Sequence, residues 1–252
     1  MLKAVILTLN EERHIVECIQ SLQWTDGVVV FDSFSSDQTV PLARQAGAEI
    51  IQHTFENYAQ QRNAALDAIE ADWILFIDAD ERATPELGEE IRAVTAQAAV
   101  PPGDKAGWWI PRHNYIFGHR MRGTGWWPDH QLRLLRHGYA HYERDVHEIA
   151  IINGNEGYLN HPMIHYNYET LAQFTHKQQR YVAYDTGILL KQRTLAKFYT
   201  PYTQALRHFW WRFITLRGWQ DGLHGILLSG MMGYYEMLKY RQVRKAKNSS
   251  RS

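Results

Sequence analysis

Trp73-Ile74-Leu75-Phe76-Ile77 is an unbroken apolar run that ends directly on Asp78-Ala79-Asp80. A short, continuous apolar run closed by polar residues predicts a strand buried on both faces of a sheet. Two carboxylates two residues apart at the exit of such a strand hold oxygen ligands at the rim of the sheet. A hard divalent cation bound there keeps open positions for water and for the oxygens of a substrate diphosphate. The stretch therefore points to metal-assisted chemistry on a phosphorylated donor.

Working outward, the flanking sequence alternates strand and helix. Ala4 to Leu9 reads as a buried strand, and Asn10 is placed to cap a following helix whose first turn carries Glu11 and Glu12. Gly27 to Phe31 is a second strand ending at Asp32. Ser35, Ser36 and Asp37 then offer capping groups for a helix over 38–46, which Gly47 stops. Glu49-Ile50-Ile51 begins a third strand, 58–70 is helical, and Asp72 to Ile77 is the fourth strand. Thr84-Pro85 with Glu86, Glu89 and Glu90 marks a further helix start. Short strands alternating with helices predict an α/β fold with a mostly parallel sheet covered on both faces. Ligands gather at the carboxyl ends of strands in such sheets, where Asn10, Asp32, Asp78 and Asp80 all fall. Ala98 to Gly103 reads as a loop, Trp108 to Tyr168 as a mixed sheet extension, and the chain from Leu171 onward as helical.

The 252 residues carry zero formal net charge, but unevenly. From Gly187 to the end, 12 Lys and Arg face only Asp221 and Glu236, whereas the first 186 residues hold 15 basic and 25 acidic side chains. A basic end on a neutral chain suits an anionic surface. The tail is too apolar for a nucleic-acid-binding arm. The lone cysteine, Cys18, excludes an intrachain disulfide and fits a reducing compartment. It shares a helix face with Ile15, Ile19 and Leu22, so a core thiol is expected. Met1-Leu2-Lys3 leads straight into a strand, so no signal peptide is expected, and no uncharged run is long enough to span a bilayer.

Neither a GxGxxG loop nor a Walker lysine loop follows the first strand, which argues against dinucleotide and P-loop chemistry. The first strand leads instead into Thr8-Leu9-Asn10-Glu11-Glu12, and the second into Asp32-Ser33-Phe34-Ser35-Ser36-Asp37. An acid at the second strand's end can accept from the imide N–H of a pyrimidine base. Those two stretches, with Tyr58 to Asn63 and Asp78 to Arg82, resemble the inverting family 2 glycosyltransferases. The lipopolysaccharide-core β-glucosyltransferase branch is the nearest in pattern. Pro128 to Arg136, Val146-His147-Glu148 and Gly218-Trp219-Gln220-Asp221-Gly222 extend the resemblance over most of the chain. One position departs: Phe34 stands in the serine-rich turn where the family usually has glycine.

The resemblance implies a GT-A fold, Rossmann-like with helices on both sheet faces, and a nucleotide-sugar donor. Carried over, Thr8, Asn10 and Glu11 border the nucleotide, Asp32 contacts the base and Asp78 lies near the ribose. Asp80 binds Mg²⁺ or Mn²⁺ on the diphosphate, where a Lewis acid stabilises the departing charge. Arg62, and Arg133 or Arg136, could add contacts to phosphate. Inversion needs a base for the acceptor hydroxyl. Glu148 occupies the place of the family's late acidic motif, with Asp129 and Asp145 as alternatives and His147 expected to orient the carboxylate or bind phosphate.

Trp126-Trp127, between Gly125 and Pro128, is loop-like and suits stacking on a sugar, whereas Trp108-Trp109 suits core packing. His113, His119, His130, His137, His141, His161 and His165 lack cysteine partners or a zinc-ligand spacing. Leu206, Phe209, Trp210, Phe213 and Ile214 recur at helical spacing, as do Leu223, Ile226, Leu227, Met231, Tyr234 and Leu238. Basic amphipathic helices bordered by Trp and Tyr suit a membrane interface; packing on the catalytic domain or a second copy is the alternative. The expected organisation is a catalytic domain over 1–168, with a nucleotide half 1–100 and an acceptor half 101–168, and a basic helical extension over 169–252. The expected function is transfer of a hexose from a UDP-sugar to a cell-envelope glycan or lipid-linked acceptor, on the inner face of the cytoplasmic membrane. A sugar-nucleotide nucleotidyltransferase and a non-catalytic membrane-binding module are the alternatives.

Overall fold

The computed structural model describes residues 1–97, 105–143, 149–192, 194 and 196–249. The alternation read from the sequence is present: β1 (Leu2–Thr8), α1 (Ile15–Gln20), β2 (Gly27–Asp32), α2 (Thr39–Gln45), β3 (Glu49–Gln52), α3 (Tyr58–Ala68), β4 (Trp73–Asp78), β5 (Glu81–Ala83) and α4 (Pro85–Gln97). Then come β6 (Lys105–Ile116), β7 (His119–Arg120), β8 (Asp129–Arg136), β9 (Ala140–Glu143), β10 (Ile149–Ile152), β11 (Asn155–Tyr158) and β12 (Met163–Tyr168). Helices α5 (Leu171–Lys191), α6 (Thr200–Trp210) and α7 (Gly222–Ser249) complete the chain.

The main sheet runs β3-β2-β1-β4-β8-β6-β12-β5, with β7 and β11 also paired to β6. β1, β2, β3 and β4 are mutually parallel, while β8 pairs antiparallel with β4 and β5 antiparallel with β12. The sheet is thus mixed: β1–β4 are parallel, and beyond the antiparallel β8 the short β11 pairs parallel with β6. β9 and β10 form a separate antiparallel ribbon.

The chain divides into two compact units, 1–112 with 130–165, and 113–129 with 166–252. In the first, successive strand residues point to opposite faces and feed two cores. Ala4, Ile6, Val28, Val30, Leu75 and Ile77 pack with Ile15, Cys18, Ile19 and Leu22 of α1 and Leu87 and Ile91 of α4. Val5, Val29, Phe31, Ile74 and Phe76 pack on the other face with Ala59, Ala65 and Leu66 of α3. Fully burying each such large side chain is worth about 1.5–3 kcal/mol. This two-sided burial explains why β4 reads as an unbroken apolar run. Cys18 is in the core, as expected.

Local details differ from expectation in instructive ways. Asn10 does not cap α1; it takes a left-handed backbone (φ 58°), and the helix begins only at Ile15. Asn serves both roles because its short amide bonds locally in either conformation. The cap that sequence reading missed is Asn57, whose side chain accepts from the Gln60 N–H at 2.9 Å and opens α3. Gly47 ends α2 with φ 90°.

The second unit is built on α5, α6 and α7. A capping box of Thr170 and Gln173 starts α5. A π-helical turn (Trp211–Thr215) follows α6, and a 3₁₀ turn (Gly218–Asp221) leads into α7. Its core gathers Ile116, Met121, Tyr168, Phe174, Val182, Leu228 and Tyr235. The apolar sets read from α6 and α7 lie largely outside it: Leu206 is 72% exposed, Trp210 63% and Leu223 83%. Ile214, Ile226, Leu227 and Tyr234 are exposed as well. Among the described residues, no helix is long and apolar enough to cross a membrane.

Candidate active site

At the exit of β4 the two aspartates part in role. Asp78 is gripped by two buried arginines: Arg62 Nη2 lies 3.3 Å from Oδ1, Arg133 Nη1 3.2 Å from Oδ1, and Arg133 Nη2 donates to Oδ2. Burial alone would raise the Asp78 pKa, but the charges of Arg133 and Arg62 outweigh it and hold the carboxyl well below the usual range. Glu81, with no exposed side-chain surface, is the second anchor. It accepts from Arg112 at 2.9 Å and Arg133 at 3.3 Å, and its Oε2 accepts from the Asp78 N–H at 2.9 Å. Sequence reading gave no role to Glu81 or Arg112, although Glu81 directly follows the aspartate pair. Asp80 escapes this grip. Its carboxylate is about one-third exposed (32%), has no guanidinium partner among the described residues, and lies 3.4 Å from His165 Nε2.

Of the two arginines weighed for phosphate beyond Arg62, the structure brings only Arg133 to Asp78. Arg136 pairs opposite Trp73, at the amino end of β4, and sits over the Trp73 ring. The antiparallel run of β8 carries it away from the strand exits. Arg62 also lies over the Phe76 and Tyr142 rings, and Asn63 clasps the Tyr142 backbone from both sides.

The exits of β1 and β2 are laced together. Asp32 is fully buried; Oδ1 accepts from Thr8 Oγ1 (3.0 Å) and Ser35 Oγ, and Oδ2 from Ser35 N (2.9 Å) and Gln52 Nε2 (3.2 Å). Four donors occupy the carboxylate's acceptor sites, so here Asp32 organises the turn. Asn10 Oδ1 accepts from Ser36 N at 2.9 Å, and the Glu11 N–H donates to Thr39 Oγ1 at 2.7 Å. Asp37 accepts from Thr39 N at 2.9 Å and so starts α2. Phe34, the departure from the family's glycine, takes φ 60° and is 57% exposed. A bulky side chain in that region is an outlier.

Glu11 reports the field at these exits. Burial, then the negative charges of Asp80, Asp78 and Asp37, push its pKa up to about 7. Such a surplus of negative charge is what a bound cation relieves. No three His, Cys, Asp or Glu among the described residues are grouped as a metal cluster. The donor set fits a magnesium-type site instead, in which one carboxylate is completed by water and substrate phosphate. Asp80 is the residue placed to supply it.

In the second unit, Asp129 opens β8 and accepts from Asn114 Nδ2 at 3.0 Å. The tryptophan pair before it splits. Trp126 packs into the helical core, edge-on to Tyr168, whereas half-buried Trp127 lies 4.3 Å from the His113 ring. The stacking role read for both is therefore open only to Trp127. Trp108 and Trp109 pack against the two sheet cores, as expected. Glu148, His147 and Asp145, like the 98–103 loop, lie outside the described residues. The histidines disperse: His161 meets Glu90, His137 the Leu66 carbonyl, His141 Glu143, His130 Tyr158 and His119 Asp221.

A parallel half-sheet with acidic strand exits, continued by a mixed extension and carboxy-terminal helices, is the GT-A architecture of the glycosyltransferases. The chain belongs to glycosyl transferase family 2, whose sequence profile matches residues 4–207. It is 28% identical to the lipopolysaccharide core biosynthesis glycosyltransferase LpsC of Rhizobium meliloti, over 90% of this chain and 85% of that one. It is 26% identical to an uncharacterized glycosyltransferase of Rickettsia typhi, over 98% of this chain and 88% of that one. Among solved structures it resembles glucosyl-3-phosphoglycerate synthase from Mycobacterium tuberculosis in complex with Mn²⁺, UDP-glucose and phosphoglyceric acid. That match has 20% identity and a TM-score of 0.38, over 47% of this chain and 45% of that one. Mannosyl-3-phosphoglycerate synthase from Rubrobacter xylanophilus gives 21% identity and a TM-score of 0.39, over 45% and 40%. Family membership favours glycosyl transfer over the nucleotidyltransferase alternative.

Proposed function

We propose that this chain is an inverting hexosyltransferase that moves a sugar from a nucleotide-sugar, a UDP-sugar, to a glycan or lipid-linked acceptor of the cell envelope. The observation that carries the reading is the division of labour at the β4 exit. Asp78 is neutralised by Arg62 and Arg133, while Asp80 has no guanidinium partner among the described residues, lies 3.4 Å from His165 Nε2, and joins burial in raising the pKa of Glu11. The Asp32 turn, with Thr8, Asn10 and Glu11, borders the nucleotide, and Asp78 lies on its ribose side. Asp80 holds Mg²⁺ or Mn²⁺. The cation supplies Lewis-acid stabilisation of the departing diphosphate. A carboxylate, Glu148 with Asp129 as the second candidate, takes the acceptor hydroxyl's proton. As that oxygen bonds to the anomeric carbon, the carbon's bond to the diphosphate oxygen breaks on the opposite face and the configuration inverts. The similarity to a relative named for lipopolysaccharide core biosynthesis supports an envelope acceptor.

The reading assigns catalysis to 1–168, with donor binding in 1–100 and acceptor binding in 101–168, and gives 169–252 a peripheral membrane role at the cytoplasmic face. The exposed Leu206, Trp210 and Leu223, together with exposed Arg207 and Arg217, support docking on an anionic bilayer. The test is donor turnover with Mn²⁺ by purified wild type and Asp80→Ala. Wild type should release UDP from its UDP-sugar donor and Asp80→Ala should lose that activity by 100-fold or more, on the order of a lost preorganised charge contact. Full activity in Asp80→Ala would remove the metal assignment.

A further inference from the structure

Asp221 lies in the helical region, far in sequence from the strand exits, and has a fully buried carboxylate. A charge with no exposed surface must be matched by donors, and here the donors belong to one short segment. Oδ1 accepts from the Arg122 N–H at 2.7 Å and lies 3.3 Å from His119 Nε2. Oδ2 accepts from the Gly123 N–H at 2.9 Å and from Thr124 Oγ1 at 3.4 Å. The same segment is held from its other side. The Thr124 N–H donates to the Leu216 carbonyl at 2.8 Å, and Arg212 Nη1 donates to the Thr124 carbonyl at 2.7 Å.

The fit leaves no slack. A Cβ at Gly123 would stand 2.2 Å from the Arg217 carbonyl oxygen, so only glycine allows this approach. Thr124 is buried with φ 61°, a left-handed conformation that a β-branched residue adopts only when its surroundings impose it. The imposed turn continues into Trp127 and Asp129, because Asn114 Nδ2 donates both to the Trp126 carbonyl and to Asp129 Oδ2 at 3.0 Å. A buried carboxylate, an arginine and a strained threonine thus converge on the segment that delivers an indole beside His113 and a carboxylate.

We propose that Asp221 is a positioning residue for the acceptor: by binding Arg122–Thr124 it holds Trp127 and Asp129 as a preformed edge against which the acceptor glycan is oriented. This inference rests on the glycosyl-transfer reading above. Its chemistry is preorganisation, since a sugar ring stacked on a fixed indole loses no loop entropy on binding, and small misplacements of a bound hydroxyl cost turnover steeply.

The test compares wild type, Asp221→Asn, Asp221→Glu and, as a second route to the same segment, Arg212→Met. Three readouts are used: amide exchange across 119–129, calorimetric binding of UDP with Mn²⁺, and transfer kinetics with core oligosaccharide released from lipopolysaccharide as the acceptor probe. In Asp221→Asn and Arg212→Met, exchange at 122–126 should quicken about tenfold, the scale of one lost charge-assisted bond, with β1 and β4 unchanged. UDP affinity should stay within about twofold and acceptor KM should rise about tenfold or more, on the scale of lost positioning. Asp221→Glu should recover part of the KM loss. A loosened segment with unaltered acceptor kinetics in Asp221→Asn or Arg212→Met overturns the proposal, as does an equal loss of UDP binding. If wild type binds no UDP and transfers no sugar, the donor reading fails first and this inference with it.

Discussion

The Glu81 carboxylate permits a quantitative test of how the β4 exit is held. Three guanidiniums, from Arg62, Arg112 and Arg133, face two carboxylates, Asp78 and Glu81, and Glu81 has no exposed side-chain surface. Glu81→Gln keeps the shape and can still accept from the Asp78 N–H, but among the described residues it takes one of the two carboxylates away from these three guanidiniums. Removing one partner of a buried pair costs about 3–5 kcal/mol; the retained backbone contact places this variant near 3 kcal/mol. For a chain of this size about 2–4 °C of Tm accompanies each kcal/mol. The melting transition of the sheet unit should therefore fall by about 6–12 °C, read by calorimetry. Replacing Arg112 as well, in Glu81→Gln/Arg112→Met, restores the original charge imbalance and should recover roughly half of the loss, because paired residues do not add independently. A Glu81→Gln protein melting within about 2 °C of wild type would refute the reasoning, since the two effects are linked by the same size scaling. It would mean that water reaches these charges and that Asp78 is oriented by something else.

Glu11 gives the pH prediction. Its pKa is raised to about 7, so the folded chain carries a proton that the unfolded chain loses near the ordinary carboxylate range. Stability should fall as pH rises between the two values, and Glu11→Gln should abolish that fall in melts at pH 5 to 8. A cation beside the ionised group reverses the preference, so Mn²⁺ affinity should strengthen from pH 6 to 8 in wild type and stay flatter in Glu11→Gln, as titration calorimetry would show. Phe34→Gly should raise Tm by about 2–4 °C, because it relieves roughly 1 kcal/mol of left-handed strain; no rise would mean that the phenyl contacts offset the strain. Glu148→Gln should bind UDP normally yet lose transfer, and unchanged turnover would move the base to Asp129.

Much of this fold follows from local pattern. The β4 run, the Thr84-Pro85 helix start and the buried face of α1 each depend on residues a few positions apart, where periodicity is a direct image of burial. The strand-exit placement of Asp32, Asp78 and Asp80 follows from the same alternation. What escaped is long in range or double in meaning. Glu81 meets Arg112 and Arg133 across 31 and 52 positions, and no spacing rule connects them. Asn10 carried a residue type that serves a cap or a left-handed turn equally. Trp126 and Trp127 are the same residue side by side, yet successive positions in a turn can face core and surface. For α6 and α7, helical spacing picked out apolar residues without telling which are covered: of the α7 set, Met231 and Leu238 pack on the helical core, whereas Leu223, Ile226, Leu227 and Tyr234 are exposed.

That last ambiguity bears on how the tail can be tested. Removing the chain after Thr200 looks like the direct assay for membrane binding, but it deletes Arg212, Leu216 and Asp221, which together fix Arg122–Thr124. Loss of activity in that truncation would report a collapsed loop as readily as a lost membrane contact. The helices themselves offer the separation, because one face is committed inward through Leu228 and Tyr235, while Leu206 and Leu223 stand out in solvent. Glutamates at both exposed leucines place two carboxylates where an anionic bilayer would contact the chain and leave the clamp untouched. A charge near such a surface is worth about 1 kcal/mol, so adding a negative charge and removing an apolar side chain at two points should cut vesicle binding by tenfold or more. The double variant should sediment less with phosphatidylserine-rich vesicles while keeping wild-type UDP affinity and melting temperature. Equal sedimentation of the double variant and wild type would assign the exposed face to a protein partner instead.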